Sequence, residues 1–314
     1  METENQSANR VDDRSTAGAV ARLEHRLRDL LRSGGPRPKD YDDLDNQIRS
    51  VWAAFGNDDE RAEAASRLQS ALPYEFLRET VHGHGLAKPM GYPGDFMMID
   101  RIYVEDVSPL EAYRRWDQYF HSHPAPRAVR GRKDYFKSLV RASLNATGGT
   151  LRILNLGTGP GRDLAELLRD NPRAPVRITS LDLDPRASEY ARDLVGPAER
   201  RVEFINENAL RFSSEERFDL VWSAGLFDYL NDRLFVGLLR RAAGLLAKGG
   251  EIVVGNFSPA NPSRAYMELL GDWHLLHRSA RSLRELGQRA GFSQEGTRIG
   301  SEPLGVNLFL HLRG

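Results

Sequence analysis

The sequence predicts an α/β fold: a helical front, then from about residue 150 an open sheet of seven strands, most of them alternating with helices. Three observations predict it. Stretches of strand length rich in apolar residues recur near 151–156, 176–182, 201–210, 218–222 and 250–258, the first of them, with Ile153, Leu154 and Leu156, of the kind that forms a strand buried on both faces. Three glycines at alternate positions, Gly157, Gly159 and Gly161, follow the first run and precede Leu164, Ala165, Leu167 and Leu168 at helical spacing. The last two strands, 295–299 and 306–312, are separated only by the turn 300–305, which suits an antiparallel hairpin at a sheet edge.

Composition narrows the class. The 314 residues hold one large domain or two ordinary ones, and 40% hydrophobic residues suffice for a sizeable core. Lys plus Arg and Asp plus Glu both number 44, so no net field selects nucleic acid or an acidic surface. Without cysteine there is no disulfide, thiolate metal site or sulfur nucleophile. No apolar run approaches the roughly 20 residues that span a bilayer, and the first residues lack the apolar centre of a secretory signal. A cytoplasmic protein that neither binds nucleic acid nor inserts into a membrane is expected; homodimerisation stays open.

Taken in order, residues 1–18 are polar and unpatterned and read as a disordered tail. Val20, Leu23, Leu27, Leu30 and Leu31 share one face of a helix over 19–32, which Ser33, Gly34, Gly35 and Pro36 end. Helical patterning continues over 41–55 and 61–72, and again from Tyr74 towards His82. The stretch 83–103, GHGLAKPMGYPGDFMMIDRIY, mixes glycine and proline breakers with aromatic and charged residues. It predicts an irregular segment beside the sheet domain, either a substrate loop or a rigid crossover. Helices follow near 111–120 and 133–144, with Arg127, Arg130, Arg132 and Lys133 clustered around their connection. Gly148 and Gly149 close the front, giving a helical module over 19–148 and a sheet domain over 149–314. Further helices are expected over 186–195, 233–246, 265–276 and 281–290.

Strand, tight glycine turn and helix let a ligand approach the backbone where a side chain would block it. No Lys-Ser or Lys-Thr pair follows the glycines, against a phosphate loop, and Gly-x-Gly-x-Gly departs from the spacing of nicotinamide and flavin sites. The stretch resembles the first motif of class I S-adenosylmethionine (SAM) methyltransferases. Asp182, 21 residues beyond Gly161, ends the second strand, where an acid accepts both hydroxyls of a ribose. Asp184 before Pro185 suits a helix N-cap. The resemblance implies a Rossmann-like sheet in the order 3-2-1-4-5-7-6, a helical cap in front of it, and SAM as cofactor. It also implies an adenine edge at Asn208 and Ala209, and cofactor contacts from Asn155, Gly157, Thr158, Gly159, Gly161, Asp182, Leu183, Ser223, Ala224 and Gly225. One position departs: the motif commonly begins with Asp or Glu, and here the residue is Asn155, an amide that accepts a hydrogen bond without a full charge.

Three further blocks, KPMGYPGDFMMIDRIY at 88–103, SAGLFDYL at 223–230 and GNFSPANPSRAYMELLGDW at 255–273, resemble bacterial synthases of 3-hydroxypalmitic acid methyl ester, the extracellular-factor type. That resemblance runs from about residue 74 to the C-terminus and implies a carboxylic acid acceptor. Related sequences act on small amino-acid-like substrates or cyclise SAM itself to an azetidine, and a SAM-binding protein without catalysis uses the same turn. Methyl transfer is an in-line displacement, so the protein mainly aligns its reactants and excludes water. Tyr92 and Asp95 from the cap, Asp228 and Tyr229 past the fourth strand and Asn256 past the fifth are the catalytic candidates. Lys88 and Arg132 are the candidates for an acceptor carboxylate. The pairs His82/His84 and His121/His123, with His274 and His277, lack a carboxylate in fixed register, so no metal is expected.

Overall fold

The computed structural model describes residues 16–146 and 148–314; of the tail expected over 1–18, residues 1–15 lie outside the described residues. The first helices are α1 (Thr16–Arg32), α2 (Tyr41–Ala54), α3 (Asp58–Gln69), α4 (Tyr74–Glu79), α5 (Val81–Ala87), α6 (Phe96–Tyr103), α7 (Glu111–Ser122) and α8 (Pro124–Ala146). Then come β1 (Leu151–Leu156), α9 (Arg162–Asp170), β2 (Val176–Asp182), α10 (Pro185–Val195), β3 (Val202–Asn206), β4 (Phe218–Ser223), α11 (Asp232–Ala243) and β5 (Leu246–Phe257). The chain finishes with α12 (Arg264–Leu269), α13 (Ala280–Ala290), β6 (Thr297–Ser301) and β7 (Asn307–Arg313). The sheet has the expected order, β3-β2-β1-β4-β5-β7-β6, with β7 antiparallel to both neighbours.

The alternation of the strands explains both faces of this sheet. Ile153, Ile178, Leu220, Trp222, Val253 and Phe309 point to one side, where Phe136, Leu139 and Val140 of α8 and Leu164, Leu167 and Leu168 of α9 cover them. Leu154, Leu156, Val221, Ile252, Val254 and Leu310 point to the other, under α11 and α13. Each such side chain taken from water stabilises the fold by about 1.5–3 kcal/mol.

Two compact units share the chain. The first comprises residues up to Pro93, Val107–His121 and Ser263–His274; the second comprises Gly94–Asp106, Ser122–Pro262 and Leu275–Gly314. The division therefore differs from a single boundary at Gly149. In the first unit Leu23, Leu27, Leu30, Leu44, Ile48, Val51 and Leu68 are buried. α12 belongs to this unit through Trp52 Nε1, which donates to Glu268 Oε2 at 2.7 Å, and His82, whose ring nitrogens bond Leu270 O and the Tyr266 hydroxyl, both at 2.8 Å.

Four expectations are corrected. The helix expected from Tyr74 to His82 breaks at Thr80, whose hydroxyl accepts from Gly83 N at 2.7 Å and so restarts the chain as α5. The stretch 83–103 is largely helical, because Asp95 caps α6 by accepting from Met98 N at 2.9 Å. The arginine cluster lies inside one long helix, since the prolines that open α8 fall in its first turn, where a missing N–H costs nothing. The helix expected over 265–276 stops at Leu269, with Asp272 at a φ of +44° soon after.

A charged cluster on the sheet gives a stability test. Glu251 Oε1 accepts from His311 Nδ1 at 2.8 Å, Oε2 accepts from Arg313 Nη2 at 3.1 Å, and His311 Nε2 bonds the Tyr135 hydroxyl at 2.6 Å. Although burial raises it, the His311 and Arg313 contacts hold the Glu251 carboxyl down to about 2. A depressed folded-state pKa means stabilisation that is complete above the ordinary value of 4.5 and is lost as pH falls from there through about 2. Glu251→Gln is expected to cost about 2–3 kcal/mol near neutrality, and wild-type and variant unfolding curves should converge in acid. Curves separated equally at all pH values would contradict this assignment.

Candidate functional site

β1 runs into a turn on Gly157, Gly159 and Gly161, with φ of +76°, +56° and +65°. Gly157 N and Thr158 N both donate to Leu181 O, at 2.9 and 3.0 Å, tying the turn to the end of β2. The glycines then part in role. A Cβ on Gly161 would stand 2.5 Å from Ala191 Cβ, so this glycine lets α9 pack on α10; a Cβ on Gly159 would meet nothing within 4 Å, so its backbone is open to a ligand.

Asp182 orients this turn. Its Oδ2 accepts from Gly159 N at 2.9 Å and its Oδ1 from Asp184 N at 3.0 Å, which leaves each oxygen a further lone pair. Burial raises the carboxyl above its ordinary value, against the pull of the same N–H groups. Asp184 caps α10 as expected, accepting from Arg186 N at 3.0 Å. Leu183 between them is 70% exposed, an apolar side chain standing in the open. Open glycine backbone, a carboxylate with lone pairs to spare and an exposed apolar side chain fit the sugar and flat face of a nucleoside.

Asn155, buried at the end of β1, donates through Nδ2 to Ser180 Oγ at 3.1 Å, and the Thr158 hydroxyl bonds the same oxygen at 2.7 Å. The amide thus supplies a donor that an acid at this position would lack. Asn208 turns its Oδ1 to Leu210 N at 2.9 Å, with Ala209 between them at the exit of β3. Ser223 Oγ donates to Leu156 O at 2.8 Å and joins β4 to β1.

A second group gathers past β4 and β5. Arg132 of α8 is only 4% exposed; its Nη1 lies 3.2 Å from Ala224 O and 3.6 Å from Asp228 Oδ2. Its Nε is buried with no hydrogen-bond partner. A Cβ on Gly225 would come within 2.8 Å of Arg132 Nη1, so this glycine admits the guanidinium against the backbone. Asp228, buried in the 3-10 turn Leu226–Tyr229, accepts at Oδ1 from Phe257 N at 2.7 Å. Burial pushes its carboxyl up to about 7, although Arg132, the Phe257 N–H and Arg278 pull the other way. Tyr229 is 41% exposed at the end of the same turn.

The structure places the remaining candidates as follows. Asn256 is wholly buried: Nδ2 donates to Leu276 O at 2.8 Å and Phe257 O at 3.1 Å, and Oδ1 accepts from Arg278 Nη1 at 2.9 Å. Its amide is committed to holding the loop, which argues against a catalytic part. Asp95 accepts from Met98 N at the start of α6 and belongs to the second unit. Lys88 and Tyr92 belong to the first unit, where Lys88 pairs with Asp272. Among the described residues no three His, Asp or Glu side chains gather as metal ligands.

Two features escaped sequence reasoning. Arg278, a buried cation, bonds Leu230 O at 2.6 Å, Asp232 Oδ1 at 2.9 Å and Phe227 O at 3.2 Å, fixing the loop that carries Asp228. Asp100 of α6 takes two hydrogen bonds from Arg162, the residue after the glycine turn, and one of 2.6 Å from the Tyr190 hydroxyl of α10. The position of Arg162 directly after Gly161 was the available signal; its partner, more than sixty residues earlier, was not.

Residues 153–250 match the family model for a methyltransferase domain. They form a methyltransferase domain. The strand order and the glycine turn are those of the class I type, whose cofactor is S-adenosyl-L-methionine. The chain is similar to malonyl-[acyl-carrier protein] O-methyltransferase 1 of Ilyobacter polytropus, at 28% identity over 117 residues, 37% of this chain and 40% of that protein. It is also similar to nodulation protein S of Rhizobium tropici, at 37% identity over 93 residues, 28% of this chain and 37% of that one. The chain thus spans about two fifths of the length of each curated relative. A solved structure of a possible exported protein from Bordetella parapertussis shares the fold beyond the methyltransferase domain. It has a TM-score of 0.64 at 19% identity, covering 96% of this chain and 97% of that one. No helix among the described residues is long and apolar enough to cross a membrane.

Proposed function

We propose that the protein is a SAM-dependent methyltransferase acting on a small acceptor that carries a carboxylate. The observation that carries this reading is the open backbone of Gly159 hydrogen-bonded to Asp182, at the carboxyl ends of parallel strands within a methyltransferase domain. SAM supplies an electrophilic methyl group on a sulfonium that leaves as a neutral thioether. Asp182 would accept the ribose hydroxyls, the glycine turn would admit the cofactor's methionine part, and Leu183 would cover the base. The chain's own contribution past β4 is a buried guanidinium: Arg132, with its free Nε, suits a carboxylate better than any neutral group. Asp100, Arg162 and Tyr190 act as positioning residues that brace the helix following the turn.

Incubation with SAM alone, then with candidate hydroxy acids, fatty acids and amino acids, followed by mass spectrometry, tests the function. S-adenosylhomocysteine together with a methylated acid is the expected result. Methylthioadenosine from SAM alone would replace transfer with cyclisation, and unchanged SAM under every condition would favour a protein that binds the cofactor without consuming it.

A further inference from the structure

We propose that Asp163, in the first turn of α9, is the counter-charge for an ammonium group, that of the cofactor's amino-acid end. The inference rests on the methyltransferase reading and deepens it. It assigns a binding residue to a cationic part of the cofactor that Asp182, committed to the ribose, leaves unmatched.

The acid that commonly opens the glycine motif is missing here. Asn155 stands in its place, uncharged, and its Nδ2 is given to Ser180 Oγ at 3.1 Å. The first acid along the chain after the turn is Asp163, two residues beyond Gly161. It is 5% exposed, and its Oδ1 accepts from Leu164 N at 2.9 Å. Oδ2 takes no hydrogen bond from another described residue and yet is not sealed from solvent, so this oxygen is open to a donor from outside the chain.

Among the described residues this carboxylate makes no ion pair. Lys133 of α8 acts on it through space but is bonded to Glu166 Oε1 at 2.6 Å, and Glu166, on Asp163's own helix, is shared with Lys137. Tyr103 of α6 stands near Asp163 and is held neutral by burial and by that charge. Tyr103 is also near Arg132 and Asp100, of which the first is hydrogen-bonded to Ala224 O and the second is taken by Arg162 and Tyr190. Burial raises the Asp163 carboxyl from 3.8 to about 6, although the N–H groups of Leu164 and of Asp163 itself pull the other way. It is therefore mostly ionised at neutral pH, and a folded-state value above the unfolded one means a stability penalty that is absent below 3.8 and complete above about 6. A buried acid that keeps its charge at such a cost, without a cation of the chain to pair with, calls for a ligand of opposite sign. An ammonium beside Oδ2 lowers the proton affinity of Asp163, so binding near pH 6 releases part of a proton.

The test is calorimetric titration of the full-length protein with S-adenosylhomocysteine and with methylthioadenosine, which lacks the amino-acid end. Neither carries the sulfonium, so the comparison isolates that end. Asp163→Asn is expected to weaken S-adenosylhomocysteine about ten- to a hundredfold and to leave methylthioadenosine within about twofold of wild type. The sign is informative, because removing an anion beside the cofactor's carboxylate instead of its ammonium would tighten binding. A second measurement needs no variant. Near pH 6, titration of the wild type in buffers of different ionisation enthalpy is expected to show proton release with S-adenosylhomocysteine and less with methylthioadenosine. Equal or tighter binding of S-adenosylhomocysteine by Asp163→Asn, equal weakening of both ligands, or equal proton release with both in the wild type would overturn the proposal. These outcomes leave the methyltransferase reading standing, whereas a wild-type protein that binds neither ligand removes that reading as well.

Discussion

Asp182→Ala is expected to lose most of the thermal stabilisation that S-adenosylhomocysteine gives the wild-type protein. Two losses combine. The ribose hydroxyls lose a charge-assisted acceptor, worth about 2–3 kcal/mol, or roughly 30- to 150-fold in the dissociation constant. Gly159 N and Asp184 N also lose the carboxylate that holds them at 2.9 and 3.0 Å, so the turn itself relaxes. Asp182→Asn separates these parts, because one amide oxygen still accepts while its nitrogen faces an N–H donor. The Asn variant should therefore fall between wild type and Ala. Ligand-induced shifts in melting temperature, measured across ligand concentrations, give the comparison. An undiminished shift in Asp182→Ala would remove Asp182 from the site.

A chain beginning at Gly149 is expected to aggregate rather than fold. It would lack α8, whose Phe136, Leu139 and Val140 cover Ile153, Ile178, Trp222 and Phe309 on one face of the sheet. Removal of Phe136 alone to Ala should cost about 3–5 kcal/mol, a large share of the typical 5–15 kcal/mol of a domain. It would also lack α6, so Arg162 and Tyr190 would lose the Asp100 carboxylate. Solubility on expression and the presence of a cooperative thermal transition are the readouts. A soluble, cooperatively folding fragment would show that residues 149–314 hold a complete core without the preceding helices.

Much of the second unit was legible because its central parallel strands leave short apolar-rich stretches between helical ones, and because a glycine turn with an acid one strand later is a local pattern. Asp184 before Pro185 and the closing hairpin were readable for the same reason. What stayed hidden depends on partners distant in sequence. Nothing local in 263–274 says that Glu268 and Leu270 bond to Trp52 and His82. Breakers at 83–94 concealed that Thr80 caps a helix running through Gly83 and Gly85 and that Asp95 caps the next one. In the arginine cluster four cations look alike by sequence. The fold distinguishes three of them: Arg130 meets Glu105, Lys133 meets Glu166, and Arg132 is buried against Ala224 and Asp228. Asn256 shows the converse, since its position past a strand end suggested chemistry while its amide is taken up by Arg278 and two carbonyls.

Calorimetric titration of the wild-type protein and Gly159→Val with S-adenosylhomocysteine tests the central claim without any knowledge of the acceptor. Gly159 has open space on its Cβ side, so a branched side chain there would occupy the ligand's place; the cost of its φ of +56° is read separately from the melting temperature. Saturable binding at one site per chain in the wild type, lost in a Gly159→Val variant that still unfolds cooperatively, is the predicted result. No binding heat in the wild type, or equal affinity in the variant, would contradict a SAM site on this turn.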